Sequence, residues 1–263
     1  MSEQIRFDDG AAYERYMGVW SRRVGEAFLD WLPIASGGRW LDVGCGNGAF
    51  TEVILARCGP SQVVGIDPSE AQLDYARAQP ALRDVKFLAG DAMALPLDDN
   101  DFDVAVMPLV IFFVPDPAKG VAEMVRVVRP GGWVGAYAWD MPGGGFPYDT
   151  LRHDLQDCGV SVPKPPSPEA SRIETLEALW KDAGLTAVQT RRIDVQRSYA
   201  DFEDYWDTVR AAPSVGDLIA TMAPETRAAL KARMHGRMAP DAAGRITLSA
   251  RANAVMGRVP DQA

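Results

Sequence analysis

The sequence predicts an α/β fold built on a parallel sheet, with an antiparallel edge and a helical cap supplied by its carboxyl half. Three observations lead there. Apolar runs alternate with helical periods five times between residues 39 and 139, the pattern of right-handed crossovers and a parallel sheet. The first run breaks into a glycine triplet, Gly44, Gly46 and Gly48. Two long alternating segments, 187–199 and 246–259, then appear late in the chain with helical stretches between them, as expected of an antiparallel pair interrupted by an excursion.

Composition bounds the function classes. A chain of 263 residues is enough for one large α/β domain or for one domain with an inserted cap. With 47% hydrophobic and 24% charged residues, it reads as an ordinary globular protein. No apolar run approaches the ~18 residues that span a bilayer, so no stable membrane insertion is expected. The opening MSEQIRFDDG is polar and acidic, unlike a signal peptide. Three cysteines without a C-x-x-C pair fit a reducing compartment, and a cytoplasmic location is expected. Two histidines cannot build a histidine-rich metal site, and no metal is expected. Acidic residues outnumber basic ones 36 to 27, a net charge of −9, which disfavours a nucleic-acid partner. A small molecule is the expected partner, and the chain is expected to be a monomer or homodimer.

In chain order, residues 11–32 have helical spacing, with Tyr13, Tyr16, Met17 and Trp20 near one face. They form either a helix packed on the sheet edge or a lid over a ligand. RWLDV (39–43) is a buried strand, and its glycines open a turn into a helix over 49–57. Such a corner brings free N–H groups and bare backbone to a polar ligand. The spacing is G-x-G-x-G, not the G-x-G-x-x-G of dinucleotide sites. Val63, Val64 and Ile66 form the second strand, with Asp67 at its carboxyl end. There a carboxylate either accepts from ribose hydroxyls or caps the helix through Ala78 that Pro68, Ser69 and Glu70 begin.

Residues 85–88 form the third strand, and Asp91 follows it, a second carboxylate at a strand end or a turn cap. The fourth strand runs over 103–107, a helix over 121–128, the turn RPGG over 129–132 and the fifth strand over 133–139. Residues 141–170, with PGGGFP and VPKPPSP, read as a linker or excursion. Thr175 to Ala183 is a helix closed by Gly184, and DFEDYWDTVRAA and PETRAALKARM are helices of the cap.

VGCGNG, then GIDPS, then GDAMALPLDDNDFDVAV, then RPGGW, resemble the class I S-adenosylmethionine-dependent methyltransferases, in particular the small-molecule branch that includes the ubiquinone/menaquinone-type enzymes. The resemblance spans about residues 39–139. It implies a Rossmann-like, seven-stranded mixed sheet of order 3-2-1-4-5-7-6, strand 7 antiparallel, with helices on both faces. It implies S-adenosylmethionine as cofactor and S-adenosylhomocysteine as product. On the family pattern Gly44, Cys45 and Gly46 would lie against the methionyl part. Asp67 would hold the ribose hydroxyls, Pro68 would flank the adenine, and Asp91, Ala92 and Met93 would frame it. Met107 and Pro108 would face the sulfonium and the acceptor. Two departures stand out. The Asn/Asp-Pro-Pro-Tyr-like turn of amide and amino-nitrogen methyltransferases is replaced by MPLV (107–110), and the loop where many small-molecule members have a histidine reads IFFVPD (111–116).

The resemblance implies methyl transfer by direct in-line displacement to a small, apolar or aromatic acceptor. A non-catalytic cofactor-binding protein and a nicotinamide-dependent oxidoreductase are the alternatives. A sulfonium is favoured beside aromatic faces, which gives Tyr16 and Trp20 a cofactor role, with core packing as the alternative. Phe112 and Phe113 line an apolar acceptor pocket or pack beneath the cap. His153 is the one histidine near the active face and reads as an exposed helix residue, so no catalytic residue is assigned. The expected organisation is an N-terminal helical lid over 1–38, a cofactor-binding core over 39–140, and cap helices with the completing strands over 141–263.

Overall fold

The structure, a computed structural model, describes residues 14–34, 36–212 and 215–261. Tyr13 lies outside the described residues. Seven strands form one sheet: β1 (Arg39–Val43), β2 (Gln62–Asp67), β3 (Lys86–Ala89), β4 (Phe102–Pro108), β5 (Val128–Trp139), β6 (Thr186–Tyr199) and β7 (Ile246–Arg258). Their order is β3-β2-β1-β4-β5-β7-β6, with β7 antiparallel to both neighbours. The first five pair in parallel, as their short, mainly apolar runs predict. Trp40, Leu41, Val43 and Val104 to Met107 are buried in the middle of the sheet.

Around the sheet run α1 (Val19–Leu29), α2 (Ala49–Cys58), α3 (Glu70–Arg77), α4 (Pro117–Val127), α5 (Asp149–Asp157), α6 (Ile173–Asp182), α7 (Phe202–Arg210), α8 (Val215–Thr221) and α9 (Pro224–Arg237). A single π-helical turn, Glu14–Gly18, leads into α1. α3 begins at Glu70 with Ser69 as its N-cap, so Pro68 stays in the turn before it and not in the helix. α4 begins four residues before the expected Val121. Asp116 caps it, accepting from the Lys119 N–H at 3.1 Å, and Pro117 takes the first helical position, where no N–H is needed.

Two expectations are corrected. The RPGG segment is drawn into β5, whose ladder begins at Val128 and shifts register against β4 between Phe102 and Val104. A bulge absorbs the extra residues, and a Cβ on Gly132 would stand 2.6 Å from the Asp103 carbonyl oxygen. The 141–170 segment is not a linker. It holds α5, with Tyr148, Leu151, Asp154 and Leu155 buried. The fully buried Asp154 carboxylate accepts from Arg237 of α9 at 2.6 Å, and Arg233 stands 3.6 Å away and pairs with Asp157 at 3.0 Å. The excursion after β5 and the one between β6 and β7 are thereby joined into one cap.

Candidate functional site

The glycine corner is built by hydrogen bonds that hold bare backbone in place. Gly44, Gly46 and Gly48 all have positive φ, a conformation open to glycine at no steric cost. The N–H groups of Gly44 and Cys45 donate to the Ile66 carbonyl at 2.7 and 3.0 Å. The Asp67 carboxylate accepts from Gly46 N–H at 2.9 Å and from Ser69 N–H at 2.8 Å. Burial pushes the Asp67 carboxyl up from its ordinary value, and these two N–H donors pull it back.

The three glycines differ in what lies beyond them. A Cβ on Gly44 would collide with Val110, and one on Gly48 with Leu82. A Cβ on Gly46 would meet nothing nearer than the Gln72 side-chain oxygen at 3.9 Å. Gly46 therefore faces open space, and that space is a cavity of about 200 Å³. Gly44, Cys45, Gly46, Asp67 and Pro68 line it from the corner, and Pro108, Leu109, Val110 and Phe113 line it from the end of β4. Leu109 has φ 60 and is 8% exposed. A left-handed leucine is uncommon, and here it turns the chain after β4 so that Val110 packs on the bare face of Gly44.

The other predicted residues are placed differently. Met107 is fully buried in β4, and only Pro108 of that pair reaches the cavity. Asp91, Ala92 and Met93 sit in the turn after β3, outside the lining. Asp91 accepts from the Met93 N–H at 2.8 Å, the turn-capping arrangement. Tyr16 and Trp20 are not in the cavity wall. Tyr16 stacks on Tyr148 at 4.1 Å between centroids, and Trp20 Nε1 donates to the Tyr148 hydroxyl at 3.2 Å. That hydroxyl in turn donates to the Tyr16 carbonyl at 2.9 Å. An indole N–H buried at the sheet edge needs a partner, and Tyr148 supplies one. Phe112 is buried beside Phe113 and is likewise outside the lining. His153 is exposed on α5.

Sequence reasoning missed Ser21, Asn47, Phe50, Gln72 and Tyr137, which also line the cavity. Ser21 Oγ is buried without a hydrogen-bond partner among the described residues. Asn47 alone carried a local signal, since it stands inside the glycine triplet.

Behind the corner, Asp42 is fully buried and accepts from the Thr51 hydroxyl at 2.6 Å, while its other oxygen has no partner among the described residues. Burial pushes its carboxyl from 3.8 up to about 7, with the Thr51 bond opposing and the Asp67 charge adding. A carboxyl raised on folding holds its proton longer in the folded chain. Its contribution to stability is full below pH about 4 and is lost as pH rises through about 7. Asp42→Asn, whose amide oxygen still accepts from Thr51, is expected to flatten this slope. Thermal midpoints of the two proteins across that range decide it, and parallel pH profiles would show that Asp42 does not titrate there.

The comparisons with known proteins agree with the fold. Residues 41–135 match a family described as a methyltransferase domain. The demethylmenaquinone methyltransferase of Staphylococcus aureus strain JH9 is 36% identical over 131 residues, covering 49% of this chain and 52% of that protein. The chain thus spans about half the length of the curated relatives it matches. Among solved structures, the YcgJ protein of Bacillus subtilis overlays with a TM-score of 0.61 at 17% identity, over 91% of this chain and 99% of that one. Phosphoethanolamine N-methyltransferase 2 of Haemonchus contortus, solved with S-adenosyl-L-methionine, overlays with a TM-score of 0.59 at 19% identity, over 97% of this chain and 58% of that one. At these identities the overlays speak for the fold. Among the described residues, no helix is long and apolar enough to cross a membrane. No group of three or more His, Cys, Asp or Glu side chains among them is placed to hold a metal ion.

Proposed function

We propose that the chain is an S-adenosylmethionine-dependent methyltransferase acting on a small, apolar or aromatic acceptor. The open space over Gly46 carries the reading, because a backbone left bare beside a strand-end carboxylate is a cradle for a nucleoside ligand with a polar tail. The residues fit that cofactor. Gly44, Cys45 and Gly46 would take the methionyl part, with the buried Ser21 hydroxyl, unpartnered among the described residues, as a nearby donor. Asp67 would accept from the ribose hydroxyls. Pro68 would flank the adenine, and the Asp91–Ala92–Met93 turn at the next strand end would frame it. The cofactor, when bound, supplies a methyl group already activated as a sulfonium.

What remains for the chain is placement. Pro108, Leu109 and Phe113, which line the cavity from the end of β4, would hold the acceptor within about 3 Å of the methyl for in-line transfer. The described parts of the segments 11–32 and 141–240 would close over that face and exclude water. No side chain need act as nucleophile. A general base helps only an acceptor that loses its proton on the way to the transition state, and none is assigned.

Calorimetry on the full chain tests the cofactor. S-adenosylmethionine and S-adenosylhomocysteine are expected to bind at least about tenfold, or 1.4 kcal/mol, more tightly than NAD. NAD binding of equal or greater strength would favour an oxidoreductase. A screen of aromatic and apolar acceptors with labelled methyl donor then tests turnover, and cofactor binding with no methylated product from any acceptor class would leave a binding protein.

A further inference from the structure

The cap holds a second cavity, of about 320 Å³, that shares no lining residue with the cleft at the glycine corner. Its walls are α5, the 141–144 segment that follows β5, and the loop 164–169. Ser167 N–H donates to the Phe112 carbonyl at 3.0 Å, so this loop is fastened to the turn that supplies Phe113 to the cleft. The two cavities therefore flank one turn of chain.

The lining divides by chemistry. Met141, Pro142, Pro165 and Pro168 give it apolar surface. Arg152 and Lys164 give it two cations, and among the described residues neither has a carboxylate within ion-pair distance. Two carboxylates also line it, and both face neighbours. Glu169 is paired with Arg172 at 2.5 Å. Asp149 Oδ2 stands 3.4 Å from His153 Nδ1. The Arg152 guanidinium lies over the Phe146 ring, 5.8 Å from its centroid. A cation held by a ring face keeps its N–H fork for another acceptor. In a chain with nine more acidic than basic residues (36 against 27), two cations left without carboxylates beside apolar walls call for an anion from outside.

We propose that this cavity binds a small organic carboxylate. The apolar walls take the body of the ligand, and Arg152 and Lys164 take its carboxylate, Arg152 through a two-pronged hydrogen bond. A free inorganic anion would use the cations but leave the apolar walls unused, so it should bind more weakly. The inference is independent of how the glycine corner is read.

The test uses the full chain and benzoate, with benzamide as its neutral counterpart and inorganic phosphate as an anion without an apolar body. Calorimetry is expected to give one benzoate site with a dissociation constant in the millimolar range. Benzamide should bind at least about tenfold more weakly, and phosphate should fall between them. Arg152→Gln with Lys164→Gln should weaken benzoate by about tenfold or more and leave S-adenosylhomocysteine affinity unchanged. Both side chains reach solvent, and a thermal scan confirms that the variant is folded. Where it is not, Lys164→Gln alone, on an exposed loop position, carries the comparison. No benzoate binding, equal binding of benzamide, or benzoate binding untouched by the substitutions would overturn the proposal.

Discussion

Gly46→Ala is expected to yield a folded protein that has lost its cofactor. The residue has φ +53, and a Cβ there would project into space with only the Gln72 oxygen at 3.9 Å. The cost to the fold is that of a left-handed alanine, about 1–2 kcal/mol. The methyl group would stand where the ligand must lie against the peptide plane, and affinity for S-adenosylhomocysteine should fall by about 100-fold or more, roughly 2.7 kcal/mol. Gly59 provides the control. It has φ +52 at the carboxyl end of α2, and a Cβ there would meet nothing nearer than Ser36 at 3.9 Å. Gly59→Ala should cost the same stability and leave affinity unchanged. Thermal unfolding and calorimetry on the pair separate backbone strain from ligand contact. Equal affinities in the two variants would mean that no ligand rests on Gly46.

Asp67→Ala is the second large effect. Its carboxylate already accepts from Gly46 and Ser69 in the chain alone, and ribose hydroxyls would add two further donors. Charge-assisted bonds of this kind are together worth about 2–4 kcal/mol, a loss of roughly 30-fold to 1,000-fold. Asp67→Glu, which keeps the charge on a longer arm, should lose less. If Asp67→Ala binds cofactor within about threefold of the parent chain, the carboxylate serves only the backbone of the corner.

The sheet was legible because the central strands carry short apolar runs, the first two ending at Gly44 and Asp67. Trp40 to Val43, Val63 to Ile66 and Val104 to Met107 leave no surface face to mistake for a helix. The corner was legible for the same reason, since Gly44, Gly46 and Asp67 act through local backbone geometry. What failed to show depends on distance along the chain. Tyr16 and Trp20 look alike whether they meet a ligand or Tyr148, which lies 132 residues beyond Tyr16 and 128 beyond Trp20. Tyr137 and Ser21 reach the cleft from β5 and α1, and no spacing joins them to the glycines. α5 was hidden by its own composition. Its nine residues carry Asp, Arg, His and Gln between stretches rich in proline and glycine, and its apolar stripe is only Leu151 and Leu155. The seven-residue α8 was too short to leave a period.

The buried carboxylate that joins α5 to α9 bears on how new specificities can be made in this scaffold. Asp154 and Arg237 belong to separate insertions, 83 positions apart in the chain. A chimera that exchanged the 141–170 segment alone would leave Arg233 and Arg237 facing a foreign helix. One that exchanged 200–245 alone would strand a charge in the interior, at a cost of about 3–5 kcal/mol. The two pieces have to be transplanted together, and in lineages that share this layout they are expected to change together. A loop-by-loop redesign of the cap begins from a broken scaffold, whereas a paired exchange begins from an intact one.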